Sequence, residues 1–440
     1  MLKSILITTL SLVSFMAVAQ ESKIKFTEYD LPNGLHVILH EDHSTPIVAV
    51  SIMYHVGSKN EDPKRTGFAH FFEHLLFEGS ENIARGEFAK IVEKSGGTLN
   101  ANTSNDRTYY YEIMPSNHLE TSLWLESERM LHAKVDQIGI ETQRAVVKEE
   151  KRQRYDNQPY GSLLPEVMKR VFINSPYKWT TIGSMEDLDA ATESDYVNFY
   201  KTFYVPNNAV LSIAGDLNIE QTKKLVEKYF GSIPKGTRPM FRPDKTDLPL
   251  TKEIKDTIYD NIQLPAVVEA YRIPSFLDND FYAVKMLGDL LSSGESSRMY
   301  KKLVDEEQKA VFVGAFPYPL ENEGVFITYG FANFGGDADS LQMSMDEVIF
   351  ETQNNLIPEN EFQKLRNNIE TELISSDATM AGIAENLASK YTYFKNTNMV
   401  NTELTNYMKV TREDIQRVAK KYFNKDKRVI LYYLPKTKRS

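Results

Sequence analysis

The stretch Gly67-Phe68-Ala69-His70-Phe71-Phe72-Glu73-His74-Leu75-Leu76-Phe77 contains the pattern H-x-x-E-H. Residues four apart on a helix stand one turn above each other, so His70 and His74 can present two imidazoles to one cation. Glu73 shares that face through its spacing of three from His70. Two such imidazoles suit Zn2+, and the carboxylate between them can take a proton from water at the metal and deliver it to a leaving amine. That is the arrangement of an inverted zinc-peptidase motif. A plainer reading has both histidines satisfied by carbonyls along a polar seam, but it explains neither the ligand spacing nor the place of Glu73. His36, His40, His43, His55, His118 and His132 show no such grouping and read as surface or ordinary packed residues.

A zinc hydrolase needs a third protein ligand and one open position for water. The chain has no cysteine, which excludes thiolate nucleophiles, disulfides and Cys-ligated metal, so the ligand must be His, Asp or Glu. Ala145-Val146-Val147-Lys148-Glu149-Glu150-Lys151-Arg152 supplies acid on a helix whose apolar stripe can dock against the first. Glu149 or Glu150 is the candidate, and periodicity alone would rather read a charge-rich solvated helix here.

These side chains need elements to hold them. Phe71, Phe72, Leu75, Leu76 and Phe77 make the motif helix apolar nearly all round, and two buried histidines with a Glu are costly unless paired or ligated. Periodicity predicts strands near 25–40, 46–56 and 97–114, and helices near 67–77, 87–95, 117–133 and 140–155. Mixed strands and helices imply an α+β fold. Between Gly231 and Thr257, Pro234, Pro239, Pro243 and Pro249 break the pattern and mark a linker.

The two sides of that linker resemble each other at a shift of 219 residues. Thr192-Glu193-Ser194-Asp195 lies over Thr411-Arg412-Glu413-Asp414, and Pro46-Ile47-Val48 over Pro265-Ala266-Val267. The organisation read from this is a catalytic, zinc-binding domain over 20–230, a linker over 231–257 and a homologous non-catalytic domain over 258–440. At a shift of 215, Val284-Lys285-Met286-Leu287-Gly288-Asp289 falls opposite Ala69 to His74, and every ligand is lost. The expected content is therefore one zinc per chain.

Residues 1–19 stand apart. Lys3 precedes an apolar or small run from Ile5 to Val18, closing on Ala17-Val18-Ala19, the pattern of a cleavable signal peptide cut after Ala19. The run is about 14 residues, short of the roughly 20 that span a bilayer. The mature chain is thus expected to be exported, secreted or periplasmic, without membrane insertion. With 51 Lys and Arg against 61 Asp and Glu, the full chain's net charge of −10 repels nucleic acid.

Tyr54-His55-Val56-Gly57-Ser58, Gly67 to His74, Gly96-Gly97-Thr98-Leu99-Asn100-Ala101 and Val146-Val147-Lys148-Glu149-Glu150 resemble, jointly and in this order, the pitrilysin/insulinase family of zinc peptidases. The likeness is to its short branch, which includes the mitochondrial processing peptidase β subunit and bacterial secreted homologues, and it spans essentially the whole mature chain. It implies two duplicated α/β-roll domains, each a mixed or antiparallel sheet packed with helices, enclosing a chamber. In that family the third ligand lies about 76 residues past the second His, which falls on Glu150. Gln143 stands where the family often carries a second Glu seven residues before the ligand. The resemblance also implies that Asn100, Ala101 and Asn102 lie on an edge strand to which substrate backbone adds as a further strand. Longer relatives supply an Arg and a Tyr from the non-catalytic half. After Glu323-Gly324 this chain runs Val325-Phe326-Ile327-Thr328, without an Arg. Short members typically work as dimers, so a homodimer, or a heterodimer with a metal-less homologous subunit, is expected.

The function read from these residues is that of a secreted zinc metalloendopeptidase acting on peptides or unfolded segments, with ligands His70, His74 and Glu150 and Glu73 as general base. The alternative is a non-catalytic periplasmic peptide-binding or assembly subunit of the same fold, against which the intact ligand set argues. A metal-storage or solute-binding protein fits export and acidity but predicts neither Glu73 nor the duplication.

Overall fold

The computed structural model describes residues 23–436, so the leader read over residues 1–19 lies outside the described residues. The first half contributes β1 (Thr27–Asp30), β2 (His36–Glu41), β3 (Ile47–Tyr54), β4 (Thr98–Thr103), β5 (Thr108–Pro115) and β6 (Ala209–Gly215). Its helices are α1 (Phe68–Leu75), α2 (Phe88–Lys94), α3 (Leu119–Leu131), α4 (Gln137–Lys151), α5 (Leu163–Val171), α6 (Met185–Ala190), α7 (Glu193–Phe203) and α8 (Ile219–Phe230). The second half contributes β7 (Ile254–Asp260), β8 (Ala266–Pro274), β9 (Ala310–Tyr318), β10 (Glu323–Ala332) and β11 (Arg428–Pro435). With them come α9 (Asp280–Ser292), α10 (Ala338–Asn354), α11 (Glu359–Ser376), α12 (Met380–Phe394), α13 (Glu403–Met408) and α14 (Arg412–Tyr422).

The strand orders are β1-β2-β6-β3-β5-β4 and β7-β11-β8-β10-β9. With β1 set aside they are one order, in which β2 beside β6 and β7 beside β11 are the parallel pairs and all the others are antiparallel. The repeat seen in the sequence has the same physical device at both ends of its shift. Thr192 and Asp195 close a reciprocal capping box on α7, and Thr411 and Asp414 close one on α14. β7 begins at Ile254, inside the stretch read as linker. As an edge strand it is mostly exposed and carries little apolar alternation, so its pairing with β11 rather than its own pattern makes it a strand.

Strand alternation gives each sheet two apolar faces. One face of the first sheet packs under α1, α3, α7 and α8, and one face of the second under α9, α10 and α14. The remaining faces are covered by exchange. From the first half, α5 puts Val167, Met168 and Val171 against Val268, Ala270 and Leu431 of the second sheet. From the second half, α12 puts Ile383, Ala384 and Leu387 against Ala49, Met53 and Val210 of the first. Each sheet is thus completed by a helix of the other half, and parting the halves would bare both faces to water.

Candidate active site

The motif helix α1 is fixed from three directions. It starts at Gly67, whose φ of 93° is left-handed, and a Cβ there would stand 2.7 Å from the carbonyl oxygen of Ile182. Its first turn is capped by Glu61, whose carboxylate accepts the backbone N–H groups of Gly67 and Ala69, each at 2.9 Å, and the indole N–H of Trp179 at 3.1 Å. Beneath it, Phe68, Phe71 and Phe72 pack on Tyr196, Phe199 and Tyr200 of α7, while the Tyr110 hydroxyl donates to the carbonyl of Phe72 at 2.8 Å. Glu61 was not singled out in the sequence. An acid shortly before a glycine that opens an apolar helix is the available signal.

Helix α4, capped by Asp136, brings its last turn to α1. Glu150 Oε2 lies 3.5 Å from His70 Nε2 and 3.1 Å from His74 Nε2. The three potential ligand atoms fall within 4.8 Å of one another, forming the one such cluster among the described residues. Glu150 Oε2 is buried without a hydrogen-bond partner, as is His70 Nδ1 on the same cluster. Two imidazoles and a carboxylate oxygen left unpartnered among them fit a small divalent cation such as zinc. Burial raises the Glu150 carboxyl, but the neighbouring His70 and His74 side chains outweigh it and hold the group well below the usual carboxylate range. Its other oxygen pairs with Arg154 at 2.8 Å. Glu149 instead turns outward, accepting from Arg152 at 3.2 Å and Gln153 at 3.0 Å. Glu73 is half-buried and makes no hydrogen bond among the described residues.

Alongside α1 runs β4, the outermost strand of its sheet, paired only with β5. Leu99 and Ala101 pack toward the helical core, so Asn100 and Asn102 take the opposite face. The N–H of Ala101 has no partner on β5 and donates to its neighbour's side chain, Asn100 Oδ1, at 2.8 Å. Asn102 is held by Arg107.

Comparison with known proteins gives the family. The family model described as Insulinase (Peptidase family M16) matches residues 36–184, and that described as Peptidase M16 inactive domain matches residues 190–369. The chain is 30% identical over 440 residues to the zinc protease PqqE of Helicobacter pylori, covering 99% of this chain and 98% of that protein. The chain belongs to peptidase family M16.

A crystal structure of a protease from Helicobacter pylori superposes with a TM-score of 0.89 at 28% identity, covering 93% of this chain and all of that one. A probable mitochondrial-processing peptidase subunit beta of Arabidopsis thaliana is 24% identical over 90% of this chain and 76% of its own length. Within this M16 chain, Gln143 donates to Glu78, whose other oxygen pairs with Arg85 at 2.6 Å, so the position bridges α4 to the end of the motif segment. Val325 is fully buried in the core on β10. No helix of the described residues is long and apolar enough to cross a membrane.

Proposed function

We propose that the chain is an exported zinc metalloendopeptidase that hydrolyses peptides or unfolded polypeptide segments. The observation that carries this reading is the meeting of His70, His74 and Glu150 beside Glu73 and the open edge of β4. His70, His74 and Glu150 would hold one zinc ion, which supplies Lewis acidity toward the scissile carbonyl and lowers the pKa of water. Glu73, unencumbered by other hydrogen bonds, takes the proton of the attacking water and passes it to the departing nitrogen. The outward N–H of Ala101 gives an extended peptide a main-chain partner once Asn100 yields it, which orders substrate with modest demands on its side chains.

Export rests on the leader pattern of residues 1–19, and the acidic, cysteine-free mature chain accords with it. The test is metal analysis of the purified mature chain together with hydrolysis of an unstructured peptide. One zinc per chain, activity lost to chelator and regained with added zinc are expected. Activity that persists in chelator, or a protein that takes up no zinc, would sink the reading.

A further inference from the structure

A cavity of about 230 Å3 lies where three parts of the chain meet. His36 and His55 come from the first half, Arg242 from the connecting segment, and Thr392 and Lys395 from the end of α12. None of the residues that line it is among the metal cluster, and none carries a carboxylate.

Two features make its lining unusual. First, it holds two cations that make no direct ion pair among the described residues. Arg242 is held by neutral groups alone, donating to the His55 carbonyl and to Asn208 Oδ1, each at 2.6 Å. Lys395 makes no ion pair among the described residues; its ammonium stands 4.7 Å over the Tyr391 ring, which in turn stacks on His36. The nearby carboxylates are engaged elsewhere: Asp30 on His36 Nδ1 at 2.8 Å, Glu28 with the Thr397 hydroxyl and 3.4 Å from His36 Nε2, and Glu321 with His55 and Lys59. Second, the Thr392 hydroxyl has no hydrogen-bond partner although the residue is only 2% exposed. Buried polar atoms are rarely left so. Lys395 is the left-handed residue that closes α12, its N–H donating to the Tyr391 carbonyl.

We propose that this cavity binds a small oxyanion, a phosphate or a small carboxylate, held by Lys395, Arg242 and the Thr392 hydroxyl. Bound there, the anion bridges the two halves and the segment that joins them. Charge-assisted hydrogen bonds from Arg and Lys are the ordinary means of such recognition, and the ligand would supply the acceptor that Thr392 lacks.

The experiment is thermal unfolding of the full mature chain in inorganic phosphate or in citrate, against chloride at matched ionic strength. A site that binds only the native state raises the midpoint with the logarithm of anion concentration, by roughly 2–5 °C at a hundredfold excess over Kd. The two anions separate the sources: a response to phosphate alone names a phosphate ligand, and one to citrate alone a carboxylate. Thr392→Val and Lys395→Gln should keep the chloride midpoint and lose the anion response, while Thr392→Ser should retain it. A response equal in wild type and Thr392→Val would be general salt stabilisation and would overturn the proposal. No response to either anion in the wild type would overturn it as well.

Discussion

The carboxylate of Glu61 accepts the backbone N–H of Ala69, the residue before His70, at 2.9 Å. The start of the motif helix, and with it the first imidazole, is therefore set by a buried acid nine residues before His70. Burial pushes the Glu61 carboxyl up to about 8, against the pull of the Ala69 and Gly67 amides and the Trp179 indole. The folded protein then binds the proton more tightly than the unfolded chain, so this contribution is complete below the unfolded value and is lost as pH rises toward 8. Urea unfolding should show stability falling between pH 5 and 8 on this account, with a shallower slope in Glu61→Gln. The amide keeps one acceptor oxygen and loses the other, at a cost of about 1–3 kcal/mol. An unchanged slope in the variant would show that Glu61 does not titrate in this window.

Glu73→Gln should keep zinc and lose turnover by about 10²–10⁴-fold, the usual worth of a general acid or base. Glu150→Gln should lose both metal and activity, while Glu149→Gln should resemble the wild type because its carboxylate faces Arg152 and Gln153. Zinc content and peptide hydrolysis measured on all three separate the roles. Loss of metal from Glu149→Gln with metal retained by Glu150→Gln would move the ligand by one residue.

The pair Glu149-Glu150 marks where the sequence runs out. Adjacent helical residues point about 100° apart, so only the docking partner of α4 decides which one meets His74. His70 and His74 were legible because their spacing is itself the geometry. The duplication was legible because Thr192 with Asp195 and Thr411 with Asp414 are the same local device. The exchange of α5 and α12 was not, since an apolar stripe such as Val167, Met168 and Val171 states that a face is buried and not against which sheet. Nor does the sequence set His36 and His55 apart from ordinary packed histidines, because the cavity they line is assembled from residues spread between Gly34 and Lys395.

Lys59 is buried between Asp106, at 2.8 Å, and Glu321 of the second half, so one ammonium joins the β4–β5 turn to the other domain. His55 and Lys59 outweigh the effect of burial and hold the Glu321 carboxyl down at about 2. A depressed folded value contributes stability above the unfolded carboxylate pKa, and that stability is lost as pH falls through about 2. Lys59→Met leaves the buried Asp106 carboxylate without a cation and half-buried Glu321 with His55 alone, and should cost about 3–5 kcal/mol at neutral pH. Glu321→Gln should be less stable than wild type at pH 7 and draw level with it in acid. Chemical unfolding at pH 7 and below pH 2 checks both, and a neutral Lys59→Met would show that water reaches the cluster.

The Ala101 N–H faces away from β5 and donates only to Asn100 Oδ1, so proline at this position removes no bond of the sheet ladder but does remove the donor that the proposed strand addition needs. Ala101→Pro should retain its zinc and its unfolding midpoint to within a few degrees, yet lose kcat/KM for an unstructured peptide by about tenfold, the worth of one hydrogen bond. Unaltered kinetics would place the substrate away from β4.

The last prediction concerns assembly. On β9 and the turn beyond β10, Phe312 is 52% exposed, Phe316 40% and Phe334 89%, and the outer edge of the second sheet runs beside them. An edge strand with exposed aromatic side chains is normally covered. A partner that closes over this surface, either a second copy or a metal-less homologue, would also supply a further wall to the space in which a peptide lies. Light scattering should then give a mass near twice the 50.4 kDa of the full chain, less two leaders, for the homodimer. Phe312→Asp with Phe316→Asp should return the protein to the monomer and lower peptide turnover while leaving zinc in place. If the purified chain is a monomer, titration with a homologous chain lacking H-x-x-E-H should raise both mass and turnover. A monomer with full activity, unchanged by the double substitution or by any such partner, would refute assembly and leave the chemistry of His70, His74, Glu150 and Glu73 standing.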